Sequence, residues 1–154
     1  TGSFDKTAAV WDAESRTLRQ SFGRHSAAVL DLDWRSDSQF ATCSADRLIH
    51  VCEVGLQDPI ATFEGHADDV NMVCWDPSKT LLASCSDDQT AMIWNLRTGN
   101  LHTLRQHEKE VAAVQWSPRA DPLTLATYVV HFLFFCFCWL GWLVVTSSLS
   151  RPNS

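Results

Sequence analysis

Serine, histidine and aspartate recur in a fixed order along the chain, and hydrolases use these residue types for nucleophilic catalysis. The clearest set contains His66, a serine at position 84 or 86 (Ser84 or Ser86), Asp88 and, six residues further on, Trp94. A catalytic nucleophile is exposed and unique, whereas this set has counterparts at a regular interval and includes an indole. The pattern therefore predicts a repeated structural hydrogen-bond network, and we expect no enzymatic activity.

The residue types in this set can satisfy one another's hydrogen bonds completely. The Asp88 carboxylate can accept from the His66 ring, and a serine hydroxyl can connect that ring to the Trp94 indole. The spacing leaves open whether Ser84 or Ser86 makes this connection. A buried polar chain of this kind would hold the turn that contains Asp88 in one geometry.

A second set of the same kind lies one interval earlier and contains His25, Ser44 and Asp46. Here Cys52 stands where the other set has its tryptophan. The network of this unit therefore lacks its indole donor. We expect this earlier unit to be less rigid than the later one, because fewer buried groups are connected.

The spacing of cysteine and histidine gives no sign of a metal site or of a bound cofactor. The chain has six cysteines and six histidines, but it has no Cys-x2-Cys pair and no two histidines at the helical i, i+4 spacing that zinc sites use. Four of the cysteines lie in apolar or β-branched runs, which favours buried free thiols over a disulfide framework.

Acidic residues outnumber basic ones by 18 to 12, which gives a net charge of −6. Nucleic-acid binding depends on clustered Lys and Arg, so we expect no direct nucleic-acid partner, and basic protein segments are the natural alternative.

Four carboxylates follow the recurring histidines of two adjacent units: Asp68, Asp69, Glu108 and Glu110. We expect them on one face, where they could receive a basic peptide such as a histone tail. Ordinary solvated loops are the other interpretation.

The chain matches itself at a shift of 41 or 42 residues, which is the period of a repeat of about 40 to 45 residues. Three kinds of residue keep this period. They are the histidines His25, His66 and His107, the valines Val29, Val70 and Val111, and the tryptophans Trp34, Trp75 and Trp116. Recurrence at one register favours packing between repeats for these tryptophans, although an aromatic cage for a methylated lysine is an alternative.

Between these anchors the chain alternates apolar and polar residues in short runs separated by turn residues, which predicts four antiparallel strands in each repeat. The runs of one repeat are 29–34, 40–44, 48–54 and 60–63. Those of the next are 70–75, 81–86, 91–96 and 101–104, with a turn at 97–100. The sequence therefore predicts two complete four-stranded sheets, two strands of a sheet before them and one or two strands of a sheet after them.

Three stretches carry a resemblance to a known family: residues 2–12, residues 49–52 and residues 81–88. They resemble the WD40-repeat family and, within it, the transducin β-like corepressor subgroup, including its plant members. Trp11-Asp12 matches the dipeptide that names the family, whereas Cys52-Glu53 and Trp94-Asn95 depart from it. The resemblance covers residues 1–127 and implies an all-β fold, namely a partial WD40 β-propeller with two complete blades and partial blades on either side.

The pattern stops after Thr127, which predicts a domain boundary between a propeller fragment at 1–127 and an apolar tail at 128–154. Residues 128–145 form an uncharged run of 18 residues, which reaches the lower end of what spans a bilayer. This run is either a transmembrane segment or a non-native read-through terminus. We favour the second interpretation, because the pattern breaks in the middle of a repeat.

The resemblance implies a protein-binding scaffold, namely a nuclear corepressor subunit that links histone deacetylase complexes to chromatin without a cofactor. Its implied partners are corepressor and histone deacetylase complex subunits and, at the acidic loops, histone tails. A membrane-anchored fragment is a second hypothesis, which rests only on residues 128–145, and a non-functional truncated product is a third. A Ser-His-Asp hydrolase is disfavoured by the periodicity.

Overall fold

Every regular element that the computed structural model describes is a β-strand, over residues 1–120, 123–129 and 147–149. The first sheet contains β1 (Ala8–Asp12) and β2 (Thr17–Phe22). The second contains β3 (Val29–Trp34), β4 (Gln39–Ser44), β5 (Ile49–Glu53) and β6 (Ala61–Phe63). The third contains β7 (Val70–Trp75), β8 (Leu81–Ser86), β9 (Ala91–Asn95) and β10 (Gly99–Leu104). The fourth contains β11 (Val111–Ala120), β12 (Leu123–Val129) and β13 (Ser147–Leu149).

The described part of the chain is an all-β fold of successive antiparallel sheets, which confirms the fold class expected from the repeat. In the second and third sheets the strands pair in chain order, each with the next. One detail differs from the sequence prediction: Gly99 and Asn100 were expected in a turn, yet they begin β10 opposite Asn95 and Trp94. Gly99 makes this possible because it adopts a positive φ of 80°.

A bulge recurs at the start of the first strand of each sheet from the second onward. The strand register shifts between Val29 and Asp31 in β3, and between Val70 and Met72 in β7. The same shift occurs in β11 between residues 111 and 113. A bulge increases local twist, and the repetition of this one gives the three strands the same shape.

The core lies between the sheets, which stack face to face. One apolar cluster joins the second sheet to the third and includes Ile49, Val51, Val70 and Trp94. Another joins the third sheet to the fourth through residues such as Ile93, Val111 and Leu125, and a smaller one joins the first sheet to the second. Since the middle sheets are covered on both faces, β4, β5, β8 and β9 are buried along nearly their whole length.

Among the described residues, short segments cover strand edges of the first and fourth sheets. Thr1 and Gly2 lie antiparallel to β1, where Ala9 N donates to Thr1 O at 2.8 Å and Gly2 bridges Ala8. At the other end, β13 pairs with residues 123–125 of β12. β12 itself continues to Val129, two residues beyond the expected boundary at Thr127.

The apolar run at 128–145 lies outside the described residues except for Tyr128 and Val129, which end β12. The two interpretations of the tail therefore both remain predictions. Within the described ranges no helix has the length and apolarity needed to cross a membrane.

Candidate functional site

Four side chains of the third sheet form a continuous hydrogen-bonded chain from an indole to a carboxylate. Trp94 Nε1 donates to Ser84 Oγ at 2.8 Å, and Ser84 Oγ lies 2.7 Å from His66 Nε2. His66 Nδ1 lies 2.8 Å from Asp88 Oδ2. An ionised carboxylate only accepts hydrogen bonds, so Nδ1 holds the ring proton and Nε2 accepts from the Ser84 hydroxyl. Every donor in this four-residue network therefore has an acceptor.

Each member of this chain comes from a different part of the sheet. Ser84 is on β8 and Trp94 is on β9, Asp88 is in the turn between these two strands, and His66 is in the loop that precedes β7. The strand register places Leu82 opposite Trp94, so the indole projects along β8 toward Ser84. The network thus ties the loop before the sheet to the turn inside it.

Of the two serines that the spacing left open, Ser84 makes the connection and Ser86 has a different role. Ser86 Oγ donates to the carbonyl of Asp68 at 3.1 Å and accepts from the backbone N–H of Asp88 at 3.1 Å. Both serines face the same side of β8, because residues two apart on a strand do so. Ser86 is at the end of the strand, beside the loop, whereas Ser84 is one pleat closer to the indole.

The charge states in this network follow from its surroundings. Burial lowers the pKa of His66 despite the neighbouring Asp88 carboxylate, so the ring is neutral at pH 7. Burial alone would raise the pKa of Asp88, but hydrogen bonds from Thr90, Ala67 and His66 lower it below its usual value. A neutral ring, an ionised carboxylate and a Ser84 with 0% exposure therefore make up this network.

The second sheet has a shorter version of the network, and the sequence prediction of its hydroxyl was wrong. His25 Nδ1 lies 2.9 Å from Asp46 Oδ2, as in the third sheet. Its Nε2, however, lies 2.9 Å from Thr42 Oγ1, while Ser44 Oγ donates to the carbonyl of Ala27 at 3.2 Å. Ser44 therefore corresponds to Ser86, and Thr42 takes the place of Ser84. The prediction was restricted to serine, whereas the threonine at the matching strand position also has a hydroxyl.

The missing indole changes the surroundings of this second network. Cys52 is buried and has a pKa raised to about 11 by that burial. Thr42 Oγ1 instead lies 3.5 Å from the carbonyl of His50. The His50 ring packs against the His25 ring at 4.3 Å between centroids with a tilt of 32°, and its Nδ1 lies 3.0 Å from Thr62 Oγ1. Among the described residues no group bonds to the buried Nε2 of His50.

The fourth sheet repeats the histidine–hydroxyl contact. His107 Nε2 lies 2.6 Å from Thr127 Oγ1. The pairing of Val111 with Val129, compared with that of Val70 with Ser86, aligns Thr127 with Ser84. The three hydroxyls bonded to the recurring histidines are therefore Thr42, Ser84 and Thr127, which the sequence shows at one position of the repeat once threonine is accepted beside serine.

The recurring tryptophans lie between sheets, in agreement with the packing interpretation for two of the three. Trp75 and Trp116 are 3% and 5% exposed, and Trp116 Nε1 donates to the carbonyl of Cys74 on the preceding sheet at 2.9 Å. The Arg35 guanidinium lies over the Trp75 ring at 5.3 Å. Trp34 is 39% exposed and borders a shallow hollow that is also lined by residues 35–37 and 79.

The predicted partner-binding carboxylates are on the loops that precede the third and fourth sheets. Asp68, Glu108 and Glu110 are exposed, and Asp69 is half-buried. Burial and the nearby charges of Asp68 and Asp87 raise the pKa of Asp69. Burial is the largest cause of this shift, and the two neighbouring carboxylates add to it. Asp87 was not among the predicted carboxylates. It lies in the turn after β8 and adds to the negative charge of this face.

The backbone of this acidic loop is held to the rest of the third sheet at three points. Ala67 N donates to Asp88 Oδ2 at 2.9 Å, and Asp87 N donates to the carbonyl of Asp69 at 3.0 Å. The third point is the bond from Ser86 to the carbonyl of Asp68. The buried network and Ser86 together hold the backbone of residues 67–69 against the third sheet.

Comparison with known proteins agrees with this repeated geometry. A family model described as "WD domain, G-beta repeat" matches residues 16–53 and 57–95. WD40 repeat-containing protein HOS15 of Arabidopsis thaliana is 50% identical over 89 residues, which cover 57% of this chain and 14% of that protein. F-box-like/WD repeat-containing protein TBL1X of Mus musculus is 48% identical over an alignment that covers 74% of this chain and 32% of the relative. The chain therefore spans a third or less of the length of these two relatives.

Proposed function

The chain belongs to the WD40-repeat family and is a protein-interaction scaffold of that type, and on this premise we propose that its acidic loops bind a basic segment of a partner protein. The carrying observation is the three-point attachment of the loop that contains Asp68 and Asp69. A loop that is ordered before binding loses less conformational entropy when a partner docks. The ordered loop backbone thus presents these carboxylates as a preformed binding surface.

The charge on this face supports a cationic partner. Asp68 and Glu108 are exposed on adjacent loops, and Asp69 and Asp87 add charge behind them. Long basic side chains would meet this potential as they approach, which raises the association rate and selects against acidic segments. A histone tail is the type of basic peptide that we propose.

A binding measurement with a matched charge control tests the proposal. The fluorescence anisotropy of a labelled histone-tail peptide would give its Kd for the chain and for the double variant Asp68→Asn/Glu108→Gln. We expect binding to weaken about tenfold in the variant and to weaken with added salt in the parent chain. The control double variant is Glu14→Gln/Asp37→Asn, which removes the same charge from exposed turns at the opposite ends of the strands.

The control decides between a local site and general attraction. If the two double variants lose affinity equally, only net charge matters and the proposed site is wrong. If neither loses affinity, the peptide binds elsewhere or not at all. Only a loss confined to the Asp68/Glu108 pair supports the acidic loops as the contact.

At the level of the whole protein, we propose a role as a transcriptional corepressor subunit in the nucleus that connects histone deacetylase complexes to chromatin. Support comes from the resemblance of residues 2–12, 49–52 and 81–88 to the transducin β-like subgroup and from the identity with TBL1X and HOS15. Co-precipitation of histone deacetylase subunits with the tagged chain from nuclear extract checks this role. Recovery of none of them, with the chain excluded from nuclei, would contradict it.

A further inference from the structure

One backbone conformation recurs in the turns that precede β1, β5 and β9. In each turn the residue after the aspartate has a positive φ, which is 74° at Lys6, 71° at Arg47 and 69° at Gln89. Its backbone N–H donates to the carbonyl of the serine three residues earlier, at 3.2, 3.1 and 3.3 Å respectively. Two of these turns have a cationic side chain at this position and the third has a neutral amide, so the conformation does not depend on which side chain is present.

The turn that contains Arg47 lies beside the acidic loop of the next sheet. Bonds from the backbone of β7 to side chains of β3 join residues 42 positions apart, so these two first strands begin at the same end. Ala45 N donates to the carbonyl of Ala28, the residue before β3, at 3.0 Å. Asp69 is the residue before β7. Arg47 and Asp69 therefore lie at the same end of adjacent sheets, where β4 packs against β7.

The charge of Arg47 acts on the Asp69 carboxylate. Burial raises the pKa of Asp69, the charges of Asp68 and Asp87 raise it further, and the charge of Arg47 lowers it. Arg47 itself is exposed, whereas Asp69 is half-buried. The second sheet therefore places a cation beside the acidic loop of the third sheet, where it weakens the attraction that this loop exerts on a basic segment.

The other acidic loop has a neutral neighbour at the corresponding position. The loop that contains Glu108 and Glu110 ends where β11 begins, and β11 packs against β8. The turn that follows β8 has Gln89 where the turn after β4 has Arg47. The two acidic loops therefore differ in the charge that the preceding sheet places beside them.

We propose that Arg47 determines the affinity and selectivity of the acidic surface by competing with basic residues of the partner for Asp69, an inference that rests on the proposed function. A basic segment meets a neutral turn residue beside Glu108 and Glu110, but at Asp69 it must displace the charge of Arg47. Specificity often depends on such a repulsive element as well as on attractive ones. Segments that are basic along the length of both loops are therefore selected over segments whose basic residues reach only the third-sheet loop.

An NMR titration of the aspartate carboxyl groups in the full chain tests the competition without a peptide. We expect a higher pKa for Asp69 in Arg47→Gln than in the parent chain, because the substitution removes a charge that lowers it. Arg47→Lys keeps the charge and should keep the parent pKa. Both substitutions suit the turn, since Gln89 and Lys6 have the same conformation at this position.

Fluorescence anisotropy of the labelled histone-tail peptide measures the consequence for binding. The Kd should decrease about threefold in Arg47→Gln and stay at the parent value in Arg47→Lys. Added salt should reduce the difference between Arg47→Gln and the parent chain, because it screens exposed charges. The matched control is Lys6→Gln, which removes the same charge from the same turn position beside residues 24–28, a loop without carboxylates.

The two measurements separate a failure of this inference from a failure of the proposed function. An unchanged pKa of Asp69 in Arg47→Gln, weaker binding by that variant, or an equal gain of affinity in Lys6→Gln would overturn the role of Arg47 and leave the acidic surface as the binding site. A peptide that binds neither the parent chain nor any variant would contradict the proposed function, and with it the role of Arg47 in affinity.

Discussion

Hydrogen bonds around Asp88 and Asp46 differ by one buried donor, and this difference sets an order of importance between two similar residues. Asp88 accepts from His66, from the backbone of Ala67 and from both the backbone and the hydroxyl of Thr90. Asp46 accepts from His25 and from the backbone of Ser26 and of Leu48. Leu48 has no hydroxyl to satisfy.

We therefore predict that Asp88→Ala destabilises its sheet more than Asp46→Ala does, by about 1 kcal/mol, since an unsatisfied buried donor costs about 1 to 3 kcal/mol. Hydrogen exchange measures this locally. Relative to the parent chain, exchange of the β8 and β9 amides should accelerate more in Asp88→Ala than exchange of the β4 and β5 amides accelerates in Asp46→Ala. The extra loss arises from Thr90 and from the Ser84–Trp94 bond beyond His66. Equal acceleration in the two sheets would show that the indole and the additional hydroxyl contribute nothing.

His50 is a second residue whose protonation affects stability. Burial, followed by the charge of His25, lowers its pKa to about 4 from 6.5, against an opposing effect of Asp46. The folded chain thus keeps His50 neutral while the unfolded chain protonates it below pH 6.5. The stability that comes from the neutral form is present above pH 6.5 and is lost as the pH falls toward about 4.

The third sheet suggests the replacement that tests this effect. Met92 stands where the second sheet has His50, so we predict that His50→Met reduces the loss of thermal stability between pH 7 and pH 5. It also removes the buried Nε2 that has no partner among the described residues, which should raise the melting temperature at pH 7. His102→Met, on the exposed part of β10, is the control for loss of a histidine. An unchanged pH dependence in His50→Met would mean that other groups govern acid sensitivity.

At the scale of the elements, carboxylates on β3, the first strand of the second sheet, cover the unpaired edge of β7, the first strand of the third sheet. Asp31 Oδ2 accepts from the backbone of Val73 at 3.2 Å, and Asp33 Oδ2 accepts from that of Trp75 at 2.7 Å. Unpaired backbone groups on a strand edge otherwise invite pairing with other chains. Burial raises the pKa of Asp31, and the bond from the Val73 backbone opposes this effect in part. The second and third sheets are therefore joined by polar contacts between their first strands as well as by an apolar core.

The sequence predicted the elements well and their side-chain contacts less completely. The repeat and the alternation of apolar and polar residues were enough for the strands of the second and third sheets, because each strand has its own turn residues on both sides. They could not separate Ser84 from Ser86, since both serines face one side of β8. They also could not show that Asp31 and Asp33 accept hydrogen bonds from the edge of β7. These bonds join residues 42 positions apart, and no local pattern encodes them.

At the scale of the whole molecule, the apolar run at 128–145 promotes contacts between chains that have no fixed register. Seven of its 18 residues are aromatic and none is formally charged. A contiguous apolar segment of this size is an aggregation hazard wherever it is exposed to water. Substitutions within the run test this effect without shortening the chain.

We predict that the double substitution Phe134→Asp/Phe137→Asp abolishes large aggregates, because two charges break the apolar run. Light scattering checks the loss of aggregates, and hydrogen exchange of the β8 and β9 amides checks that the third sheet remains folded. Leu101→Asp is the control, because Leu101 is an exposed apolar residue on β10 outside the tail, and it should leave the aggregates in place. Aggregates that persist in the tail variant, or that disappear equally in Leu101→Asp, would show that the apolar run does not cause the association.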